Sequence, residues 1–214
     1  MEEGTALLPR ATLMERARMR SSPPEANEGP YHPVVLFPRL PVVLDLRGPN
    51  VGPNEHQYTV GRYDEERCIY TQDLFDGART LHVGLDLGAP AGTPVYAFTD
   101  CTLYAFGLNA ADGDYGPTLV TQQKVGDETL WALFGHLSMN SLEGKREGMP
   151  IRRGEVIGWL GHEGENGGWP PHVHLQLSRE APVGHDMPGV VAVSERMDAL
   201  WRYPDPQRLL GRYT

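Results

Sequence analysis

His82-Val83-Gly84-Leu85-Asp86 and, later in the chain, His172-Val173-His174 are the two stretches on which the reading of this sequence turns. Between them a further histidine sits in Phe134-Gly135-His136-Leu137-Ser138. Two imidazoles and a carboxylate can hold one zinc ion. Catalysis at zinc needs three protein ligands, an open coordination position and groups that move protons. His82, Asp86, His136, His172 and His174 supply those types of side chain.

Spacing constrains how they meet. On a strand, residues two apart face the same side, roughly 7 Å apart along the chain, so one of His172 and His174 can ligate while the other faces the adjacent water or substrate. His82 and Asp86 are four apart, which on a straight strand separates their Cα atoms by roughly 13 Å. Two ligands must bring their donor atoms to about 2 Å from one metal. The chain therefore has to bend between them, and Gly84 is where it can. A helix would also align i with i+4, but Val83, Gly84 and the following Gly88-Ala89-Pro90 argue against one. Each pattern alone has a plainer reading, as surface or packing histidines and as a surface ion pair.

Outward from these motifs the sequence reads as strands and turns. Val34–Phe37, Val42–Leu46, Tyr58–Gly61 and Cys68–Thr71 are expected as short strands. Thr93–Phe98, Cys101–Phe106, Thr118–Lys124, Thr129–Phe134, Glu155–Leu160 and His172–Leu177 are expected as further strands on their β-branched and aromatic content. Gly126-Asp127 marks a hairpin turn. Leu7–Met19 reads as an amphipathic helix ended by Ser21-Ser22-Pro23-Pro24, and Arg47–Glu55 as a loop. Ser194–Trp201 reads as a short helix capped by Ser194, with another turn of helix in Pro204–Leu210. The implied organisation is a partly disordered extension with short strands (1–54), a β domain (55–180) and a C-terminal helical extension packed on it (181–214).

Composition narrows the class. The 214 residues contain 25 glycines and 19 prolines, which favours short strands and many turns over long helices. The net charge of −9 leaves no general basic footprint, so neither nucleic acid nor an anionic membrane is an expected partner. Cys68 and Cys101 form neither a disulfide framework nor a CxxC site. The N-terminus lacks the basic start and unbroken apolar run of a secretory signal. No stretch is apolar enough to span a bilayer, and a cytoplasmic location is expected.

In combination the motifs are more specific. HxGxD, then Ala91-Gly92-Thr93-Pro94-Val95-Tyr96-Ala97, then Gly135-His136-Leu137-Ser138, then Ile151-Arg152-Arg153-Gly154-Glu155-Val156-Ile157-Gly158, then HxH resemble the lysostaphin/LytM-type zinc metalloendopeptidases over residues 78–180. The resemblance implies a mainly β fold, an antiparallel β-sheet of the lysostaphin type (duplicated hybrid motif) with short peripheral helices. It implies zinc on His82, Asp86 and His174, with His136 and His172 as catalytic proton carriers, and a cleft across a sheet with the three ligands on its concave face. Gln176 stands where the family usually has an acid, and Trp169-Pro170-Pro171 alters the approach to the cleft. The family's upstream tyrosine has no clear match; Tyr70 or Arg79 are the candidates to replace it. Those two, with Trp169 and Asn166, are the expected substrate contacts.

A second resemblance rests on Gly61-Arg62-Tyr63-Asp64-Glu65-Glu66-Arg67, on Glu165-Asn166-Gly167-Gly168-Trp169-Pro170-Pro171-His172 and on Pro204-Asp205-Pro206. These look like the lysostaphin-type module found between kinase-like and class III aminotransferase domains in multidomain proteins. It implies cytosolic small-molecule metabolism and association with such metabolic enzymes, while the module's own substrate does not follow from that context. Because cell-wall cleavage would require export and no signal is seen, the expected substrate is a peptide or peptide-like small molecule, for example a recycled muropeptide or an amino-acid conjugate.

The expected function is hydrolysis of an amide bond by a zinc-activated water. The alternative is a non-catalytic member of the fold that binds a metabolite or partner protein. A lipoyl-like or carbohydrate-binding β module explains the hairpins but not the histidines. Arg62, Asp64 and Glu65 read as a surface ion-pair cluster. His185-Asp186 is a weak second metal pair, His162 a solvated loop residue, and His32 and His56 carry no spacing signal.

Overall fold

The computed structural model describes residues 29–48 and 57–212. The expected helix at Leu7–Met19, His56 and most of the Arg47–Glu55 loop lie outside the described residues. Among the described residues, thirteen strands run in chain order. They are Val42–Val43 (β1), Thr59–Gly61 (β2), Glu65–Glu66 (β3), Arg79–His82 (β4), Leu85–Gly88 (β5), Pro94–Tyr96 (β6) and Cys101–Asn109 (β7). Gly116–Val125 (β8), Glu128–Gly135 (β9), Pro150–Ile151 (β10), Val156–Trp159 (β11), His172–Ser178 (β12) and Val190–Ala192 (β13) follow, then two short helices, Arg196–Arg202 (α1) and Gln207–Leu210 (α2). The class is mainly β with short peripheral helices, as expected.

The strands form an eight-stranded sheet ordered β1-β2-β5-β12-β9-β8-β7-β10, a three-stranded sheet β13-β4-β3 and a pair β11-β6. Every pairing is antiparallel except β1 with β2. The hairpin of β8 and β9 turns at Gly126-Asp127, where the turn dipeptide predicts it.

Alternation along the central strands sets up two layers. In β12, Val173, Leu175 and Leu177 join Leu85, Leu87, Leu119 and Phe134 in one core. On the opposite face of the sheet, Val120 and Leu133 pack with Leu81, Val83, Tyr115, Met187, Val191 and Tyr203. Each fully buried large apolar side chain contributes roughly 2 kcal/mol. His172, His174, Gln176 and Ser178 necessarily take the face that β12 turns away from Val173 and Leu175, and the last three are buried there.

Three local expectations are corrected. Val34–Phe37 forms no ladder among the described residues. Pro33 and Pro38 lack donors, and Val34 and Val35 are buried in the core with Tyr96 N–H donating to Val34 O. The strand expected at Cys68–Thr71 lies earlier, at Glu65–Glu66, because Arg67 N–H bonds Thr80 O while Cys68 N–H turns to Leu46 O. Ser194 is not a helix cap. It lies in a 3-10 turn, Val193–Glu195, in which the Glu195 carboxylate accepts from Ala192 N–H, and α1 begins one residue later. No helix among the described residues is long and apolar enough to cross a membrane.

Candidate active site

The bend required between His82 and Asp86 is a change of sheet. β4 belongs to the three-stranded sheet and β5 to the eight-stranded one, and Val83-Gly84 is the crossing. Gly84 is required by proximity, since a Cβ there would lie 2.3 Å from Cε1 of His174. His174 pairs in register with Asp86 across β12 and β5. The expectation of three ligands on one concave sheet face is therefore corrected. His82 comes from the small sheet, and the site lies at the seam between the two.

At that seam three donor atoms converge. His82 Nε2 lies 3.0 Å from His174 Nδ1 and 3.1 Å from Asp86 Oδ1, and His174 Nδ1 lies 3.1 Å from the same oxygen. The other atom of each group is already engaged. His82 Nδ1 is 2.8 Å from Arg62 O, a carbonyl that can only accept, so the proton is on Nδ1 and Nε2 presents a lone pair. Gln176 Nε2 donates to Pro188 O, which turns Gln176 Oε1 toward His174 Nε2 at 3.1 Å. The His174 proton is thereby placed on Nε2, and Nδ1 also presents a lone pair. Asp86 Oδ2 accepts from Arg67 Nη1 at 2.7 Å.

Three electron-pair donors facing one another at about 3 Å repel unless a cation lies among them. The edges match the roughly 3.3 Å separation of tetrahedral ligands about 2 Å from a metal. The donor set therefore fits a zinc-like ion. Among the described residues no second group of three His, Cys, Asp or Glu donors converges in this way. The electrostatics agree with the donor roles. Burial, helped by the Arg67 charge, lowers His82 to about 4, so it is neutral near pH 7. Burial alone would raise the Asp86 carboxyl, but His82, Arg67 and the hydrogen-bonded imidazoles outweigh it and hold the group well below the usual carboxylate range.

His136 and His172 lie beside this cluster with ring centroids 4.4 Å apart. His136 follows directly on β9 at φ 60°, a left-handed backbone that few residues other than glycine adopt. That turn is held by His136 N–H donating to Tyr115 O and Gly161 N–H donating to His136 O. His136 Nδ1 donates to Asn166 O at 2.7 Å and His172 Nδ1 to Pro170 O at 2.7 Å, which leaves each Nε2 unprotonated; that of His172 lies 3.8 Å from Asp86 Oδ1. Burial lowers both rings below the ordinary histidine value, and for His136 the neighbouring His172 and His174 lower it further.

All five residues line a cavity of about 960 Å³. Tyr70, Arg79 and Trp169 line it too. The Tyr70 ring stands 4.8 Å from Phe75 and 6.1 Å from Trp169, and the Arg79 guanidinium lies 5.7 Å over Phe75. Trp169 both faces the cavity and pins its own loop, its indole N–H donating to Gly113 O. Asn166 is placed differently. It is fully buried, with its side chain spent on Gly161 O, Trp169 O and Trp169 N–H inside the loop.

Other residues were not foreseen at the site. Asp114, Asp186 and Glu163 add acidic groups to the cavity wall. Arg67 is buried against a ligand, and Glu65, expected in a surface cluster, is buried with it, because a guanidinium inside the protein needs a carboxylate partner. Asp64 does form a surface ion pair, with Arg196. Of the remaining histidines, His162 is exposed beside Glu165, and His32 packs on Tyr96.

A segment of 96 residues is 41% identical to the DD-carboxypeptidase/endopeptidase Mpg of Neisseria meningitidis serogroup B and covers 45% of this chain and 20% of that protein. The protein of the same name from Neisseria gonorrhoeae is 40% identical over the same length and coverage. The chain thus spans about a fifth of the length of these curated relatives. Among solved structures, the catalytic domain of the antimicrobial peptidase lysostaphin from Staphylococcus simulans aligns with a TM-score of 0.47 at 19% identity, covering 66% of this chain and 92% of that one. The catalytic domain of the prophage-encoded M23 protein EnpA from Enterococcus faecalis, in mutant form, aligns with a TM-score of 0.42 at 23% identity, covering 63% and 88%. Residues 80–185, which carry all three converging donors and both neighbouring histidines, match the model of Peptidase family M23.

Proposed function

We propose that the chain is a zinc-dependent peptidase that hydrolyses an amide bond. The observation that carries this is the convergence of lone pairs from His82, Asp86 and His174 at 3.0–3.1 Å beside two histidines whose Nε2 atoms are unprotonated. His82, Asp86 and His174 hold the ion. Bound there, zinc supplies Lewis-acid polarisation of the scissile carbonyl and a more acidic water.

The remaining chemistry belongs to the chain's own residues. His136 and His172 are neutral near pH 7 because burial lowers both, so each can take a proton on Nε2. The attacking water loses a proton to one of these nitrogens as its oxygen bonds the carbonyl carbon, and that proton passes to the departing amine nitrogen as the C–N bond breaks. The lowered affinity of the rings for protons favours the second transfer. The Nδ1 bonds to Asn166 O and Pro170 O fix ring orientation through both steps. Arg67, which has only donors to offer, donates to Tyr70 Oη at 3.0 Å, so the Tyr70 hydroxyl proton is free for a substrate oxygen. Trp169 and Phe75 provide apolar surface beside it, and Arg79 is the residue suited to a substrate carboxylate.

The names of the Neisseria relatives combine a carboxypeptidase with an endopeptidase. We extend that to this chain as a substrate class, a short peptide with D-residues flanking the scissile bond. The test has two parts. Metal analysis should find near-stoichiometric zinc in the wild type and little in His82→Ala or His174→Ala. Cleavage of such a peptide should then be compared between free-carboxylate and amidated forms, with Arg79→Ala raising KM about tenfold for the carboxylate form alone. A wild type that takes up no zinc at micromolar supply removes the proposal.

A further inference from the structure

Arg67 lies outside the segment that matches the family, yet its guanidinium donates to Asp86 at 2.7 Å, a closer contact with the cluster than the 3.1 Å between Gln176 Oε1 and His174 Nε2. Its guanidinium is 2% exposed and has four partners. Nη1 donates to Asp86 Oδ2 at 2.7 Å and to Tyr70 Oη at 3.0 Å, Nε to Glu65 Oε2 at 3.0 Å, and Nη2 to Arg62 O at 3.0 Å. Arg62 O is the same carbonyl that accepts from His82 Nδ1. One planar fork therefore bears on two of the three ligands, directly on Asp86 and through a shared carbonyl on His82.

The surroundings are built to admit it. Gly61 is the only residue type that fits at its position, since a Cβ there would lie 2.6 Å from Asp86 Oδ2 and 2.8 Å from Arg67 Nη2. Glu65, 4% exposed, balances the buried charge and fixes the far edge of the fork, and its other oxygen accepts from Leu46 N–H and from Arg62. The segment from Gly61 to Arg67 thus supplies a close backbone approach, a carbonyl, a carboxylate and a guanidinium around a single ligand pair.

We infer that residues 61–67 form a clasp in which Arg67 is the positioning residue of the metal site, engaging Oδ2 so that Asp86 offers the ion one oxygen only, and holding Arg62 O where it orients His82. The inference rests on the zinc reading above. Partners of this kind orient ligands, and their loss typically costs 10–100-fold in metal affinity. A lysine would keep the charge but not the fork, and cannot serve Asp86, Glu65 and Arg62 O in one plane.

The experiment measures zinc affinity by chelator competition and the visible absorption of the cobalt(II)-substituted full chain, with circular dichroism as the control for folding. Arg67→Met should weaken zinc binding 10–100-fold and lower cobalt(II) absorption intensity, as Asp86 becomes free to bind through both oxygens and coordination number rises. Arg67→Lys should recover part of the affinity without restoring the spectrum. Gly61→Ala, which crowds the same contact while keeping every charge, should weaken zinc in the same direction, and it decides the matter if Arg67→Met does not fold. Zinc binding by the wild type that neither folded variant weakens by more than twofold overturns the clasp and leaves the zinc reading standing. Failure of the wild type itself to bind zinc overturns both.

Discussion

The two halves of the site are constructed differently. In the holding half, both ends of every group are engaged. His82 is tied to Arg62 O, His174 to Gln176 and Asp86 to Arg67, and each turns its remaining electron pair inward. In the other half, His136 and His172 are likewise tied at Nδ1 to backbone carbonyls, but each Nε2 stands outside the close cluster, that of His172 at 3.8 Å from Asp86 Oδ1. The groups proposed to hold the ion face one another at 3.0–3.1 Å, their outer atoms braced by a backbone carbonyl, an amide and a guanidinium. The groups proposed to carry protons are braced at Nδ1 and keep Nε2 apart from that cluster.

The sharpest way to break this contrast is to remove one histidine from each half. His82→Ala should abolish both zinc retention and turnover. His172→Ala should keep near-stoichiometric zinc and lower turnover by about 10²–10⁴-fold, the usual contribution of a positioned acid–base group. Zinc lost equally from both variants, measured by metal analysis after gel filtration, would erase the distinction.

A second test uses acid on the metal-free protein. The unfolded chain takes up histidine protons near pH 6.5, whereas folded His82 resists until about 4, and His136 and His172 are shifted the same way. Between those values the unfolded state binds more protons, so the stability present above pH 6.5 is lost as pH falls toward 4. For His82 alone this amounts to roughly 3 kcal/mol. Urea midpoints at pH 7.5, 5.5 and 4.5 should fall in that order, and a flat series would show that the rings are not held neutral by burial.

The smallest expected effect sharpens the holding half. Gln176→Met keeps the side-chain volume but removes the acceptor of the His174 Nε2 proton, so zinc affinity should fall about tenfold while circular dichroism is unchanged. Affinity equal to that of wild type would mean that His174 is oriented by packing alone.

How much of this was legible in the sequence follows from the range of the interactions. The alternation of His172, Val173, His174 and Leu175 announces one polar and one apolar face, and the folded strand has both. The bend at Gly84 follows from the reach of His82 and Asp86. That the bend passes from one sheet to another does not, because it depends on β3 and β13 pairing with β4. The clasp was hidden for a related reason. Glu65 and Arg67 stand among charges that read as surface, and only the register of β3 against β4 and of β2 against β5 shows that they point inward. Asn166 misleads in the opposite direction, as a polar residue near the last motif whose amide closes a loop.

The chain passes between the two sheets at Arg62–Asp64 and again at Val83-Gly84, and both crossings meet at the cluster. An ion shared by His82 on one sheet and by Asp86 and His174 on the other would therefore be a stitch as well as a reagent. Its withdrawal should be felt as a loosening of the small sheet against the large one, with amide exchange quickening along Arg79–His82 and Val190–Ala192 while the long β8–β9 hairpin stays as it was.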